Sequence, residues 1–230
     1  MLKLFIANKN YSSWSMRPWV LLKEFAIPFE EVMVRFDDMG PESAFKRRVR
    51  EISPAGRVPV LVDGAGSPVW DSLAIADTLA ETFPALALWP RDRAARARAR
   101  SISAEMHSGF AALRSHFPMN IDASLPAVGA QVLEEQADVR ADIQRITAAW
   151  EDALQASGGP FLFGAYSIAD AFYAPVASRF RTYRVTPPGA AGAYADRLLA
   201  SVGVSAWVRE ALEEREFLQF EEPYRTRRDA

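Results

Sequence analysis

From Asn10 to Pro18 the chain reads Asn-Tyr-Ser-Ser-Trp-Ser-Met-Arg-Pro, with Ser12, Ser13 and Ser15 followed closely by the cation Arg17. Between a strand and a helix, such a run gathers hydroxyls and free backbone N–H groups at the positive end of a helix dipole, where an anion is stabilised. One serine is enough to cap a helix; three exceed that need. Further along, Arg57-Val58-Pro59-Val60-Leu61 puts a proline at the start of a strand. A cis Val58–Pro59 bond would turn the Val58 amide and carbonyl outward, ready to pair with an extended peptide as an added strand, whereas a trans proline would simply mark an edge. At Asp71-Ser72 a helix start offers a hydroxyl and backbone donors to a carboxylate, and a carboxylate to an ammonium group. Capping and ligand binding can coexist there. The chain contains no cysteine, which excludes disulfides, thiolate metal sites and a cysteine nucleophile together. Its two histidines, His107 and His116, do not have the i, i+4 spacing of a helical zinc pair. No metal is expected, and both read as surface or helix-satisfied residues.

These residues need elements to position them, and 230 residues with 50% hydrophobic content can build a sizeable core. A net charge of -2 gives no field that would draw the chain to nucleic acid or membrane, so a small neutral or acidic partner is expected. The apolar run Met1 to Ala7 is too short for a signal peptide or a span, which predicts a cytoplasmic location. Leu2 to Ala7 reads as a strand, Pro18 opens a helix that stops near Ile27-Pro28, and Val32, Val34 and Phe36 mark a second, parallel strand. Pro41 to Glu51 reads as a short basic helix, Val58 to Val62 and Pro68 to Trp70 as a hairpin, and Ser72 to Thr82 as a closing helix. This predicts an α/β unit over residues 1–83. Phe83 to Pro90 is a linker, and beyond it, over 91–230, helical patterns occupy Asp92 to Phe117, Val132 to Gln155, Ser167 to Tyr183 and Ala190 to Arg215. The arginines at 91, 93, 96, 98 and 100 suit a solvated face or a subunit contact, and the polar stretch Glu221 to Ala230 an exposed or loosely docked end. Ser167 and Asp170 have the spacing of a capping box.

Ser12-Ser13 followed by Arg17 resembles the serine motif of zeta-class and related bacterial glutathione transferases. Arg57 to Leu61 resembles the segment with that superfamily's cis proline, Asp71-Ser72 its acidic-serine pair, and Gly164-Ala165-Tyr166-Ser167-Ile168-Ala169-Asp170 its folding motif. The likeness covers essentially the whole chain. It implies a thioredoxin-like N-terminal domain that binds glutathione, an all-α C-terminal helical bundle, and a homodimer acting on a small electrophile. Ser12 and Ser13 are then the catalytic hydroxyls; Ser12, which aligns with the reactive position of the family motif, is chosen as the donor to the thiolate, with Ser13 as the alternative, and Ser15 reads as the helix cap. Trp14, Lys46, Arg57, Val58, Pro59, Asp71 and Ser72 are implied to hold glutathione. Trp14 stands where the zeta class has a cysteine, and Glu42 to Lys46 offers no glutamine or histidine for the glycyl carboxylate, leaving Lys46 or Arg57. The rival readings are a non-catalytic interaction or regulatory protein of the same fold and a glutathione-dependent isomerase of the maleylacetoacetate isomerase type.

Overall fold

The computed structural model describes residues 1–38 and 40–228. Strand β1 (Leu2–Ile6) lies inside a four-stranded sheet because its alternating side chains have apolar partners on both faces. Leu4 and Ile6 enter one core, and Phe5 enters another. Strand β2 (Phe29–Met33) runs parallel to β1 with Leu2 opposite Phe29, while β3 (Val60–Val62) is antiparallel to β1 with Leu4 opposite Leu61. Strand β4 (Pro68–Val69) completes the hairpin at the edge, giving the order β2-β1-β3-β4. Helices α1 (Ser13–Glu24) and α3 (Ser72–Thr82) cover the Leu4 face through Met16, Val20, Ile75 and Leu79. Helix α2 (Ala44–Arg50) covers the opposite face with Phe45 and Val49. The result is a small mixed sheet between helices, a thioredoxin-like arrangement.

Helix α1 starts five residues before the expected Pro18, which lies inside it. A proline there has no N–H for the Trp14 carbonyl, a local cost. It is outweighed by burial, since Met16, Trp19, Val20, Leu21 and Leu22 on the same helix are all inaccessible to solvent. The expected linker contains a short 3₁₀ turn at Pro84–Leu86 and is anchored by Leu88 and by Trp89, whose indole N–H donates to Asp77 at 2.8 Å.

Among the described residues the remainder has no β-structure beyond two isolated bridges within Phe161–Ala165, and its α-helices are α4 (Arg93–Ser108), α5 (Ala111–His116), α6 (Pro126–Glu135), α7 (Ala137–Ser157), α8 (Ile168–Tyr183), α9 (Gly189–Leu199) and α10 (Val202–Glu214). Three expected long helices are therefore broken. Phe110 at φ 57° ends one run, and the others divide at Gln136 and at Ala200–Ser201. Helix α8 is buried on nearly every side, as a central helix of a bundle must be. Asp170 in its first turn accepts hydrogen bonds from the Ser167 amide and hydroxyl (2.8 and 2.9 Å), the Leu162 amide (3.2 Å) and the Tyr194 hydroxyl (3.0 Å). Helix α1 packs on both α8 and α10, so one apolar core runs through both halves of the chain. Among the described residues no helix is long and apolar enough to cross a membrane.

Candidate active site

The loop Asn8 to Ser12 joins β1 to α1 and is fastened at every residue. Lys9 is buried, with its ammonium group on Glu31 (2.8 Å) and Glu210 (2.5 Å), its amide on Glu214 (2.9 Å) and its carbonyl accepting from Trp207 Nε1 (3.0 Å). Asn8 bonds Glu216, and the Asn10 side chain donates to Asn120 (3.0 Å) and accepts from the Asp122 amide (2.8 Å). Tyr11 donates its hydroxyl proton to Glu222 at 2.8 Å, and burial of the phenol pushes its pKa up to about 12. Glu222 also accepts from Asn120 (2.8 Å) and Arg225 (2.7 Å), and Arg228 pairs with Asp122 at 3.0 Å. The polar end of the chain is thus docked through residue 228, against the expectation of an exposed or loosely held tail. Its charges find partners in the 118–122 loop. Asp229 and Ala230 lie outside the described residues.

At the end of this loop Ser12 takes the N-cap position of α1, and its hydroxyl is hydrogen-bonded to that of Ser15 at 2.7 Å. Ser15 is not the cap. It sits inside the first turn and its Oγ accepts the Ala7 amide at 3.3 Å. Ser12, Ser13, Trp14, Lys46, Arg57 and Val58 share the wall of a cavity of about 430 Å³. A neighbouring cavity of about 630 Å³ shares Trp14, Arg57 and Val58 with it and adds Pro59, Trp70, Asp71 and His107. The Val58–Pro59 and Trp70–Asp71 peptides on this wall are both cis. Asp71 is the N-cap of α3, accepting the Leu73 amide at 2.9 Å. Ser72, alone among the expected site residues, lines neither cavity. It is fully buried at the start of α3, and its hydroxyl has no hydrogen-bond partner among the described residues. Lys46 donates to the Gly56 carbonyl at 3.0 Å, which holds its ammonium group at the cavity wall.

Arg17 of the serine segment converges on Trp14 together with groups that sequence reasoning did not place in the site. The Arg17 guanidinium lies over the Trp14 ring at 4.2 Å and the Phe172 ring at 4.9 Å, and its Nε and Nη1 have no hydrogen-bond partner among the described residues. Burial, then the charges of Arg179 and Arg114, push its pKa down to about 9. Arg114 and Arg179 line the Ser12 cavity; Arg179 is itself buried, held by the Phe117 carbonyl at 2.7 Å, and burial lowers its pKa to about 10. Glu221 lies on the same wall, its pKa raised to about 6 by burial and by Glu222. His107 was expected to be a surface or helix-satisfied residue; instead its Nε2 lies 3.0 Å from Asp71 and its ring stands edge-on to Trp14 at 5.1 Å. Arg17 belongs to the serine segment itself, in α1, but the others come from α4, α5, α8 and the C-terminal segment, and no local motif joins them to Ser12. The arginines at 91, 93, 96, 98 and 100 do form a largely solvated face, with Arg98 reaching Asp152 at 3.3 Å. A further cavity of about 710 Å³ between α4 and α7 contains none of the candidate groups.

The glutathione S-transferase N-terminal domain model matches residues 11–82, and the glutathione S-transferase C-terminal domain model matches 93–210. A probable maleylacetoacetate isomerase of Caenorhabditis elegans is 37% identical over 107 residues, 46% of this chain and 47% of that protein. The match therefore spans about half the length of that relative. A glutathione transferase homologue from Burkholderia gl BGR1, solved with bound glutathione, superposes with a TM-score of 0.67 at 23% identity, covering 94% of this chain and 99% of that one. The glutathione transferase of Methylococcus capsulatus gives a TM-score of 0.67 at 22% identity, covering 92% and 98%. At such identities the superpositions speak for the fold alone, whereas the two domain models between them span most of the sequence. The chain belongs to the glutathione S-transferase family.

Proposed function

We propose that the chain is a glutathione transferase, with residues 1–83 binding glutathione and 91–230 holding a small electrophile against it. The observation that carries this reading is the pair of adjoining cavities, which line up the Ser12 and Ser13 hydroxyls, the Val58 peptide edge and Asp71 along one wall. An extended tripeptide pairs with Val58 as an added strand, its γ-glutamyl ammonium on Asp71, its γ-glutamyl carboxylate at the start of α3 by Ser72, and its glycyl carboxylate on Lys46 or Arg57. Its sulfur then lies by the serines. Hydroxyl protons rotate, so Ser15, accepting from the Ala7 amide, can donate to Ser12 and free the Ser12 proton for the thiolate. Each bond in such a relay polarises the next. Lowering a thiol pKa from about 8.5 by about two units requires roughly 3 kcal/mol of preferential thiolate stabilisation, within reach of one charge-assisted hydrogen bond at a helix N-terminus. The thiolate attacks an electrophile held near Arg114 and Met119, forming a carbon–sulfur bond by displacement or addition.

Retention on immobilised glutathione, elution by free glutathione, and glutathione-dependent turnover of an aryl halide test the reading. Retention without turnover of any electrophile class would favour the non-catalytic, regulatory alternative, and absence of both would refute it. A second reading is favoured by the similarity to the probable maleylacetoacetate isomerase: a glutathione-dependent isomerase, in which the thiolate adds to a cis double bond, the adduct rotates, and the thiolate leaves. It predicts conversion of a cis-unsaturated diacid without consumption of glutathione. We further propose a cytoplasmic homodimer; light scattering should give about twice 25.5 kDa, and the monomer mass would refute it.

A further inference from the structure

His107, in the last turn of α4, crosses from the helical half to the first cap residue of α3. Its Nε2 is 3.0 Å from Asp71 Oδ2, while Asp71 Oδ1 accepts the Leu73 amide at 2.9 Å. The carboxylate is therefore held at both oxygens, by the helix it caps and by the imidazole. The ring itself is held edge-on to Trp14 at 5.1 Å and tilted against Phe172 of α8 at 6.4 Å.

The tautomer follows from these contacts. To donate to a carboxylate, Nε2 must carry the proton, so charging the ring means protonating Nδ1. Nδ1 is buried and has no hydrogen-bond partner among the described residues. Around the ring, α3 presents Asp71, α1 presents Arg17, α5 presents Arg114 and α8 presents the apolar Phe172. Burial and the two arginines outweigh Asp71 and hold the imidazole below its ordinary range. A lysine or arginine in this place would fix the carboxylate but cancel its charge; a neutral imidazole fixes it and leaves the charge available.

We propose that His107 is a positioning residue for the γ-glutamyl end of glutathione, clamping Asp71 from the helical half in the orientation that receives the ammonium group while leaving its negative charge uncancelled. This rests on the reading that Asp71 takes that ammonium. It also makes glutathione affinity depend on a contact between the two halves of the chain. The dependence has an acid limit: below the lowered range of the imidazole, a second proton makes the His107–Asp71 pair neutral overall and its attraction for a cation fades.

Calorimetric titration tests the proposal with the full-length protein, using glutathione and its analogue lacking the α-amino group, from pH 5 to pH 8. For His107→Ala at pH 7.5 the dissociation constant for glutathione should rise about tenfold, while that for the deamino analogue changes less than about twofold. His107→Gln, whose amide N–H replaces Nε2–H, should stay within about threefold of wild type and lose the acid-side weakening that wild type shows. Equal weakening toward both ligands in His107→Ala would reduce the histidine to a packing role and overturn the proposal. So would an acid limb that persists in His107→Gln. The Asp71→Asn variant separates the levels of the argument: if it weakens glutathione selectively and His107→Ala does not, the positioning role fails alone. If Asp71→Asn leaves glutathione binding unchanged, the assignment of the γ-glutamyl site fails and the proposal falls with it.

Discussion

Replacing Glu222 by alanine removes the group on which the C-terminal segment, the serine loop and the 118–122 loop converge. Glu222 is 2% exposed and accepts from Tyr11 (2.8 Å), Asn120 (2.8 Å) and the Nη2 and Nε of Arg225 (2.7 and 2.9 Å). Its loss leaves Arg225, 6% exposed, with the Arg228 carbonyl at 2.8 Å, Asn120 at 3.4 Å and a longer contact to Asp122 at 3.8 Å. Breaking a buried pair from one side typically costs about 3–5 kcal/mol. The segment lies at the end of the chain and can swing out to hydrate the stranded charge, which caps the loss, so about 3 kcal/mol is expected for Glu222→Ala. Arg225→Ala leaves Glu222 its Tyr11 and Asn120 donors and should cost less, about 1–2 kcal/mol. Removing both partners strands no charge. The double variant should therefore cost less than the sum of the singles by at least about 1 kcal/mol. Urea unfolding of the four proteins, with equal slopes, gives the cycle directly. Additivity within about 0.5 kcal/mol would refute the argument that this pair is coupled and that the tail is docked through it.

Stability should also respond to Asp170, which burial lifts to about pKa 6. An acid whose folded pKa exceeds its unfolded value binds its proton more tightly in the native state, so its contribution is greatest at low pH and is lost as pH rises through about 6, by roughly 3 kcal/mol in all. Chemical denaturation from pH 4 to pH 7 should show this decline relative to Asp170→Asn, and parallel curves would contradict it. Gly203→Ala should destabilise by more than about 2 kcal/mol in a thermal melt, because its Cβ would lie 2.3 Å from the Val20 carbonyl where α10 crosses α1. An unchanged melting temperature would show that the crossing can yield.

The first strand, the hairpin and the closing helix were legible because their patterns are local: Ser72 to Thr82 is read with the bounds that the structure gives it, and the hairpin differs only at its ends. The second strand, read on Val32, Val34 and Phe36, instead spans Phe29–Met33, because its pairing with β1 begins with Phe29 opposite Leu2 and ends with Met33 opposite Ile6. Helix α1 was misread at its start because proline favours a first turn, whereas here the burial of Trp19 and Val20 decides. Continuous helical patterns concealed the break at Phe110, whose left-handed backbone no local residue demands. At the site, the residues near Ser12, Val58 and Asp71 could be proposed from their local motifs and from the family resemblance those motifs carry. Arg114, Arg179, Glu221 and His107 could not, since their signal is proximity between elements far apart in the chain. The tail carries the same lesson. Glu222 and Arg225 look like solvated charges until Tyr11 and Asn120, more than a hundred residues earlier, are brought against them.

The most direct test of the proposed function is the ultraviolet titration of glutathione bound to wild type, Ser12→Ala and Ser13→Ala, because thiolate absorbs there and thiol does not. With Ser12 as the donor, the bound thiol should titrate about two units below its free value in wild type and return most of the way in Ser12→Ala, with turnover at neutral pH falling in step. A shift in Ser13→Ala alone would exchange the roles of the two serines. Titration at the free value in wild type, or the same lowered value in all three proteins, would contradict thiolate activation by these hydroxyls.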